Sequence, residues 1–308
     1  MVIHRGYEGF HPLKPVVTVG VFDGVHRGHK ALLETLVLKA KETGGESVVI
    51  TFSSHPRKVL GKESGRLSLL TTASEKKALL EQMQIDHIVI LDFNIEFSRT
   101  GACDFVRNVI VKKIGAGLMI FGYDHRIGRE GEGDYNTIRQ CSGISGLIVE
   151  QAKGVFSGEV AISSSAIREA LLLGNLDVAN ELLGYPYQLG GTVVPGRKIG
   201  RSFGFPTANI RPDSQKLIPA KGVYAVEVLL EEKVHIGMLS IGTNPTVNAN
   251  STLRSIEVHI LDFNENIYGR KIAVKFRKRL RDERKFPDTD ALAKQMLTDR
   301  QQTIQVLS

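Results

Sequence analysis

The sequence predicts an α/β parallel-sheet domain followed by an antiparallel β-barrel with a C-terminal helix. Three observations carry this expectation. Residues 15–184 alternate short runs rich in Val and Ile with helical patterns, the rhythm of a parallel sheet covered by helices. After Gly184-Tyr185-Pro186 the pattern changes to short alternating runs separated by turn residues, with no helical pattern before residue 290. The length of 308 residues suits two domains. The boundary is expected near 185, giving domains 1–185 and 186–308.

In the first half, Val16–Val21, Ser47–Phe52, His87–Leu91 and Leu118–Phe121 read as strands. Helical patterns lie between and after them. One covers His29–Lys41, and another opens at Thr72, where Thr72 and Glu75 have capping-box spacing. A third covers Asp104–Lys113. Two more, Ser165–Leu173 and Leu176–Leu183, are broken at Gly174-Asn175. In the second half, Gly191–Val194, Val223–Leu230, His235–Ile241, Ser255–Leu261 and Lys271–Phe276 alternate as strands, and Asp290–Val306 is helical.

Composition narrows the function classes. The chain is 42% hydrophobic and 24% charged, ordinary for a soluble domain. No apolar run approaches the ~20 residues that cross a bilayer, and MVIHRGYEGF has no signal-peptide core. The two cysteines, Cys103 and Cys141, lie in no CxxC motif, so neither a disulfide framework nor a structural zinc site is expected and a cytoplasmic location is. The net charge of +7 suits nucleic acid or polyanionic small molecules. Its basic residues gather at Lys271, Lys275, Arg277, Lys278, Arg279, Arg281, Arg284 and Lys285, which a solvated strand face explains equally well. With no Trp and no aromatic-rich strand beside them, a nucleic-acid partner is not expected.

Six stretches carry chemistry. GVFDGVHRGH, 20–29, is a turn between a strand and a helix N-terminus, where unpaired amides and the helix dipole favour phosphate. Gly20 and Gly24 admit a phosphate to the backbone around Phe22 and Asp23, and His26 and His29 can donate to its oxygens. TFSSHP, 51–56, leaves a strand, with His55 and Pro56 at its end. FGYDHRIGREGEGD, 121–134, does the same and carries Asp124. ISSSAIR, 162–168, leads hydroxyls at Ser164 and Ser165 into a helix holding Arg168, either an ordinary serine cap or a phosphate clasp. GRKIGRS, 196–202, falls one residue short of a Walker A loop and has Arg201 in place of its lysine, although Gly196 and Gly200 can still line a nucleotide. It runs on to PTAN, 206–209, whose Thr207 and Asn209 share one side of an extended segment and can hold Mg²⁺. Last, SIEVHILDF, 255–263, puts Glu257 and His259 on one strand face, with Glu257 placed to take a hydroxyl proton.

Together these motifs resemble a known family. G-x-F-D-G-x-H-x-G-H, TFxxHP, FGxD and S-S-x-x-I-R are similar to the FMN adenylyltransferase module of bacterial bifunctional FAD synthetases, Rossmann-like nucleotidylyltransferases with HxGH. The second half, from PTANI through KGVYAVEV, GTNPTV and IEVHILDFN to RLRDERKF, resembles riboflavin kinase along its length. The resemblance implies that His26, His29 and Arg168 serve adenylyl transfer and that Gly20, Phe22, Asp23, Gly24, Ser164 and Ser165 bind ATP. It implies flavin contacts at His55, Pro56 and Asp124. In a six-stranded barrel it places Mg-ATP at Gly196, Gly200, Arg201, Thr207 and Asn209, with Glu257 the base on the ribityl 5′-hydroxyl. Riboflavin, FMN and FAD would be substrates and products, and the chain a monomer or weak oligomer. Two positions depart from the family pattern: His125 replaces an aromatic residue, and Ser54 often corresponds to proline. Two other readings stay open here: an active kinase with an impaired adenylyltransferase half, and a nucleotide- or RNA-binding protein on the same folds.

Overall fold

The structure, a computed structural model, describes residues 1–61, 67–143, 146–158, 160–196, 204–243 and 254–308. They fall into two compact units, Met1–Ser163 and Ser164–Ser308. No helix among the described residues is long and apolar enough to cross a membrane.

The first unit runs β1 (Val2–Arg5), β2 (Val16–Val19), α1 (Arg27–Thr43), β3 (Ser47–Phe52), α2 (Pro56–Val59), α3 (Ala73–Glu81), β4 (His87–Leu91), α4 (Ala102–Phe105), β5 (Leu118–Phe121), α5 (Tyr135–Gly143) and β6 (Ile148–Gln151), then a two-stranded ribbon of β7 (Phe156–Ser157) and β8 (Val160–Ala161). Strands β1–β6 form one parallel sheet in the order β1-β4-β3-β2-β5-β6. All four residues of β2 are buried, as a central strand covered on both faces requires. On one face Val17, Val19, Ile50 and Phe121 pack with Phe105 and Ile110. On the other, Val16, Val49 and Ile120 pack with Leu33 and Leu36 of α1 and Leu80 of α3.

Local chemistry sets the element ends. The strand expected to reach Val21 ends at Val19, because the chain turns through left-handed conformations at Phe22 (φ 52°), Gly24 (φ 86°) and Val25 (φ 34°). Helix α1 opens earlier than the apolar pattern suggests, capped by His26, whose Nδ1 accepts from the His29 amide at 3.3 Å. The capping box expected at Thr72 and Glu75 is formed reciprocally and starts α3. The helix expected over Asp104–Lys113 is α4 continued by a π-helical stretch, Val106–Val111.

One expectation is overturned. Cys103 and Cys141, for which no disulfide framework was expected, are disulfide-bonded. They stand 38 residues apart on α4 and α5, and the fold brings their Cα atoms to 5.4 Å, within bonding reach. Spacing in the sequence carries no trace of that approach.

The second unit comprises α6 (Ser164–Leu173), α7 (Leu176–Leu183), β9 (Gln188–Val194), β10 (Ala208–Pro212), β11 (Gly222–Leu230), β12 (Lys233–Thr243), β13 (Arg254–Ile260), β14 (Lys271–Arg281) and α8 (Thr289–Leu307). The six strands close an antiparallel barrel in the order β10-β13-β12-β11-β14-β9. Tyr187, Tyr224 and Phe276 are fully buried in its core, the last two edge to face at 5.2 Å. Helices α6 and α7 group with the barrel. The Asn180 amide donates to the Phe276 carbonyl at 3.0 Å, and the Ala220 amide donates to the Leu171 carbonyl at 2.9 Å. Packing thus divides the chain between 163 and 164, whereas the change of sequence rhythm lies near 185.

Much of the basic run on and after β14 is neutralised locally. Arg277 pairs with Glu227, Lys278 with Asp177, Arg279 with Asp282, and Arg281 with Asp299, whose side chain is only 3% exposed. Such pairing describes a structural strand face rather than an open cationic surface.

Candidate active sites

The sheet order locates the first site. From β2 the chain builds outward to β3 and β4 on one side and to β5 and β6 on the other, so strand order reverses between β2 and β5. In open parallel sheets, ligands bind beyond the carboxyl ends of the strands at such a reversal. The turn at 20–25 follows β2 and the glycine-rich loop at 122–134 follows β5, so both motifs reach this point.

The His26 and His29 rings stack with centroids 3.6 Å apart and planes 17° from parallel, and Phe22 flanks His29 at 5.1 Å. His26 is 5% exposed. Among the described residues His29 Nδ1 is buried with no hydrogen-bond partner, an arrangement seldom kept without a use. Burial, with the nearby charges of His26, His125 and Lys76, pushes the His29 pKa well below the usual histidine value. Burial also lowers that of His125, against the pull of Asp124. Both imidazoles are therefore neutral at pH 7.

That depression has a stability consequence. As pH falls through 6.5, the ordinary histidine value, the unfolded chain takes up protons that the folded unit resists. The stability these neutral histidines confer is complete above that pH and is lost as pH drops toward their lower folded values. Thermal melts should show the first unit losing Tm between pH 7.5 and 5.5, and a constant Tm would contradict the assignment.

Asp23 and the glycines take structural parts in the turn. The Asp23 carboxylate, 4% exposed, accepts from the amides of Leu70 and Thr71 at 3.1 and 3.0 Å and from the Thr71 hydroxyl at 3.3 Å. The Gly24 amide donates to the same hydroxyl at 3.0 Å. A side chain on Gly20 would strike the Phe22 ring at 2.9 Å and the His125 ring at 3.2 Å.

Beside this turn lies a cavity of about 460 Å³. Phe52, Phe93, Phe97 and Phe105 line one part of it, each ring meeting the next near edge-on at 5.3–5.7 Å. Its polar groups include His55, Arg57, His125 and Arg126, with Glu130 the one acidic residue of the described lining. An aromatic wall with mainly basic polar groups suits a planar heteroaromatic ligand bearing negative charge. His55, Pro56 and His125 line the cavity, and Asp124 is exposed. The phenylalanines escaped sequence reasoning because each belongs to a different element and reads as ordinary core.

In the second unit, Ser164 and Ser165 form the first turn of α6 and Arg168 follows one turn on, on the face of Ser164. In the barrel, Asn209 on β10 is the register partner of Glu257 on β13, which puts both side chains on one face. Thr207 donates its hydroxyl to Glu257 Oε2 at 3.1 Å. His259 Nδ1 lies 2.8 Å from the Pro206 carbonyl, tying β13 to the residue before Thr207. A Cβ on Gly196 would overlap the Asn209 amide, so this glycine is required by close approach. Gly200 and Arg201 lie outside the described residues.

Known proteins bear on these sites. Residues 11–166 match the family model described as FAD synthetase, and residues 183–307 match that described as riboflavin kinase. The bifunctional riboflavin kinase/FMN adenylyltransferase of Escherichia coli K12 is 37% identical over 285 residues, covering 92% of this chain and 90% of the relative. The protein of the same description from Listeria monocytogenes is 37% identical over 292 residues, 94% of this chain and 92% of the relative. A solved Streptococcus pneumoniae structure, described as a macrolide-efflux protein, superposes with a TM-score of 0.90 at 30% identity, covering 98% of this chain and 99% of that one.

Proposed function

Because the chain belongs to the bifunctional riboflavin kinase/FMN adenylyltransferase family, we propose that its two sets of site residues divide the two reactions between them. The chain phosphorylates riboflavin to FMN with ATP and joins FMN to the AMP moiety of a second ATP, giving FAD and pyrophosphate.

Adenylyl transfer is assigned to the turn and cavity of the first unit. The FMN phosphate attacks the α-phosphorus of ATP, pyrophosphate leaves, and negative charge grows on the phosphate oxygens in between. Donors fixed before the reaction lower that barrier most. Here they are the amides opening α1 together with His26 and His29, and the neutral state of His29 makes it an N–H donor rather than a cation. The flavin ring is assigned to the phenylalanine-walled cavity. Ser164, Ser165 and Arg168 are assigned to phosphate binding, which the start of a helix and a guanidinium favour.

Phosphorylation is assigned to the barrel. Glu257 accepts the ribityl 5′-hydroxyl proton as the oxygen meets the γ-phosphorus, and its bond from Thr207 holds the carboxylate in place. Thr207 and Asn209 offer oxygen ligands of the kind Mg²⁺ takes, and they suit a site the ion shares with ATP phosphates and water. When bound, Mg²⁺ supplies neutralisation of the phosphate charge. Gly196, Gly200 and Arg201 are proposed to line the nucleotide. Gly196→Ala should displace the Asn209 amide and lower FMN formation by about 10²-fold, the scale of an ångström's misplacement. Steady-state kinase assays check this, and an unchanged rate would contradict the packing argument.

ATP consumption supports a cytoplasmic location for a monomer or weak oligomer acting on small molecules. The observation that carries the adenylyltransferase assignment is the stacked His26–His29 pair at the strand-order reversal, beside a cavity suited to a flavin. FMN and Mg-ATP, supplied without riboflavin, should yield FAD and pyrophosphate in equal amounts. Failure to form FAD would support instead a kinase with an impaired first unit.

A further inference from the structure

The turn that carries the histidines is strained, and the structure shows what restrains it. Phe22 and Val25 both hold positive φ, a conformation that bulky and β-branched residues avoid. From one side, Asp23 is held by Leu70 and Thr71, just before α3. From the other, Lys76, on the first turns of α3, extends its ammonium under the turn and donates to the Val21 carbonyl at 3.1 Å and the Thr51 hydroxyl at 3.4 Å. The capping box at Thr72 and Glu75 fixes the helix turn from which Lys76 projects.

We infer that Lys76 is a positioning residue for adenylyl transfer, pinning the Val21 carbonyl so that the following turn aims His26 and His29, and setting the charge environment of His29. The inference rests on assigning adenylyl transfer to this unit. Burial lowers the Lys76 pKa while Asp23 opposes the shift. The titratable groups facing His29 are His26 at the start of α1, His125 after β5 and Lys76 on α3. Burial is the largest cause of the His29 depression and Lys76 adds to it, so removing the lysine should move the His29 pKa upward by part of that shift.

The test uses the full chain with Lys76→Met and Lys76→Arg, measuring FAD formation from FMN and Mg-ATP between pH 5 and 8.5. Lys76→Met should lower kcat by roughly 10- to 100-fold with a smaller change in KM for ATP, and should move the acid limb of the profile to higher pH. Lys76→Arg, which keeps the charge, should return the limb to the wild-type position. A Lys76→Met enzyme with wild-type kcat and pH profile would overturn the inference. So would equal losses in both variants with an unmoved limb, because a merely structural role predicts that. If Lys76→Met fails to fold, the limb position in Lys76→Arg decides: at the wild-type pH it supports the inference, and displaced it overturns it. Wild-type chain that makes no FAD would overturn the underlying assignment itself, an outcome distinct from any variant effect.

Discussion

Replacing His26 with alanine should lower FAD formation by about 10²–10³-fold, the scale for losing one donor to a developing charge. FMN formation from riboflavin should continue at the wild-type rate, because Thr207, Asn209 and Glu257 belong to the barrel. The substitution also removes the cap of α1, since His26 Nδ1 accepts from the His29 amide. Loss of a cap costs about 1 kcal/mol, so part of the effect could come from fraying of the first helical turn. His26→Asn separates the two contributions. Asparagine is a good cap and should restore the melting temperature, yet it lacks the imidazole stacked on His29 and should leave FAD formation low. Recovery of both stability and FAD formation in His26→Asn would reduce His26 to a cap. Parallel loss of both products in His26→Ala would contradict a division of labour between the two sets of site residues.

Glu257→Gln should produce the converse phenotype. Glutamine keeps the volume and can still accept from the Thr207 hydroxyl, so barrel packing should survive. What disappears is the capacity to take a proton, and general-base losses of this kind run to about 10²–10⁴-fold. FMN formation should fall by that factor while FAD formation from supplied FMN is retained. Product quantification with riboflavin or FMN as the starting flavin distinguishes the cases. Normal FMN output from Glu257→Gln would remove this carboxylate from the chemistry and leave it as an anchor for Thr207.

The two mutants probe residues whose legibility in the sequence differed for physical reasons. Thr207 with Asn209, and Glu257 with His259, could be placed on strand faces because side chains alternate along an extended chain. That Asn209 lies directly opposite Glu257 depends on register across two strands 48 residues apart, which no local pattern encodes. The strand–turn–helix reading of 16–43 was accessible for a similar reason: a buried run, a glycine turn and an amphipathic stretch adjoin one another. The reversal of strand order at β2 depends on how six separated strands pair, so the meeting of the 20–29 and 121–134 motifs became visible only in the fold.

Other features were hidden for identifiable reasons. The anchoring of Asp23 could not be read locally, because its carboxylate accepts from amides 47 and 48 residues later. The part played by Lys76 is not legible in the sequence, because burial of a long side chain beneath a distant turn leaves no periodic signature. The pairing of Cys103 with Cys141 was likewise beyond spacing rules, since it follows from two helices packing side by side. The basic run 271–285 invited a ligand-binding reading, but partners such as Glu227, Asp177 and Asp299 come from other elements and cannot be matched to it in advance.

One chain carries two sequential flavin chemistries at separable sites. Riboflavin and Mg-ATP incubated with the purified protein, and resolved by chromatography over time, test it most directly. FMN should form first and FAD should follow with a lag, together with ADP and pyrophosphate as the two leaving products. Accumulation of FMN with no FAD at any time, or no turnover of riboflavin at all, would contradict it.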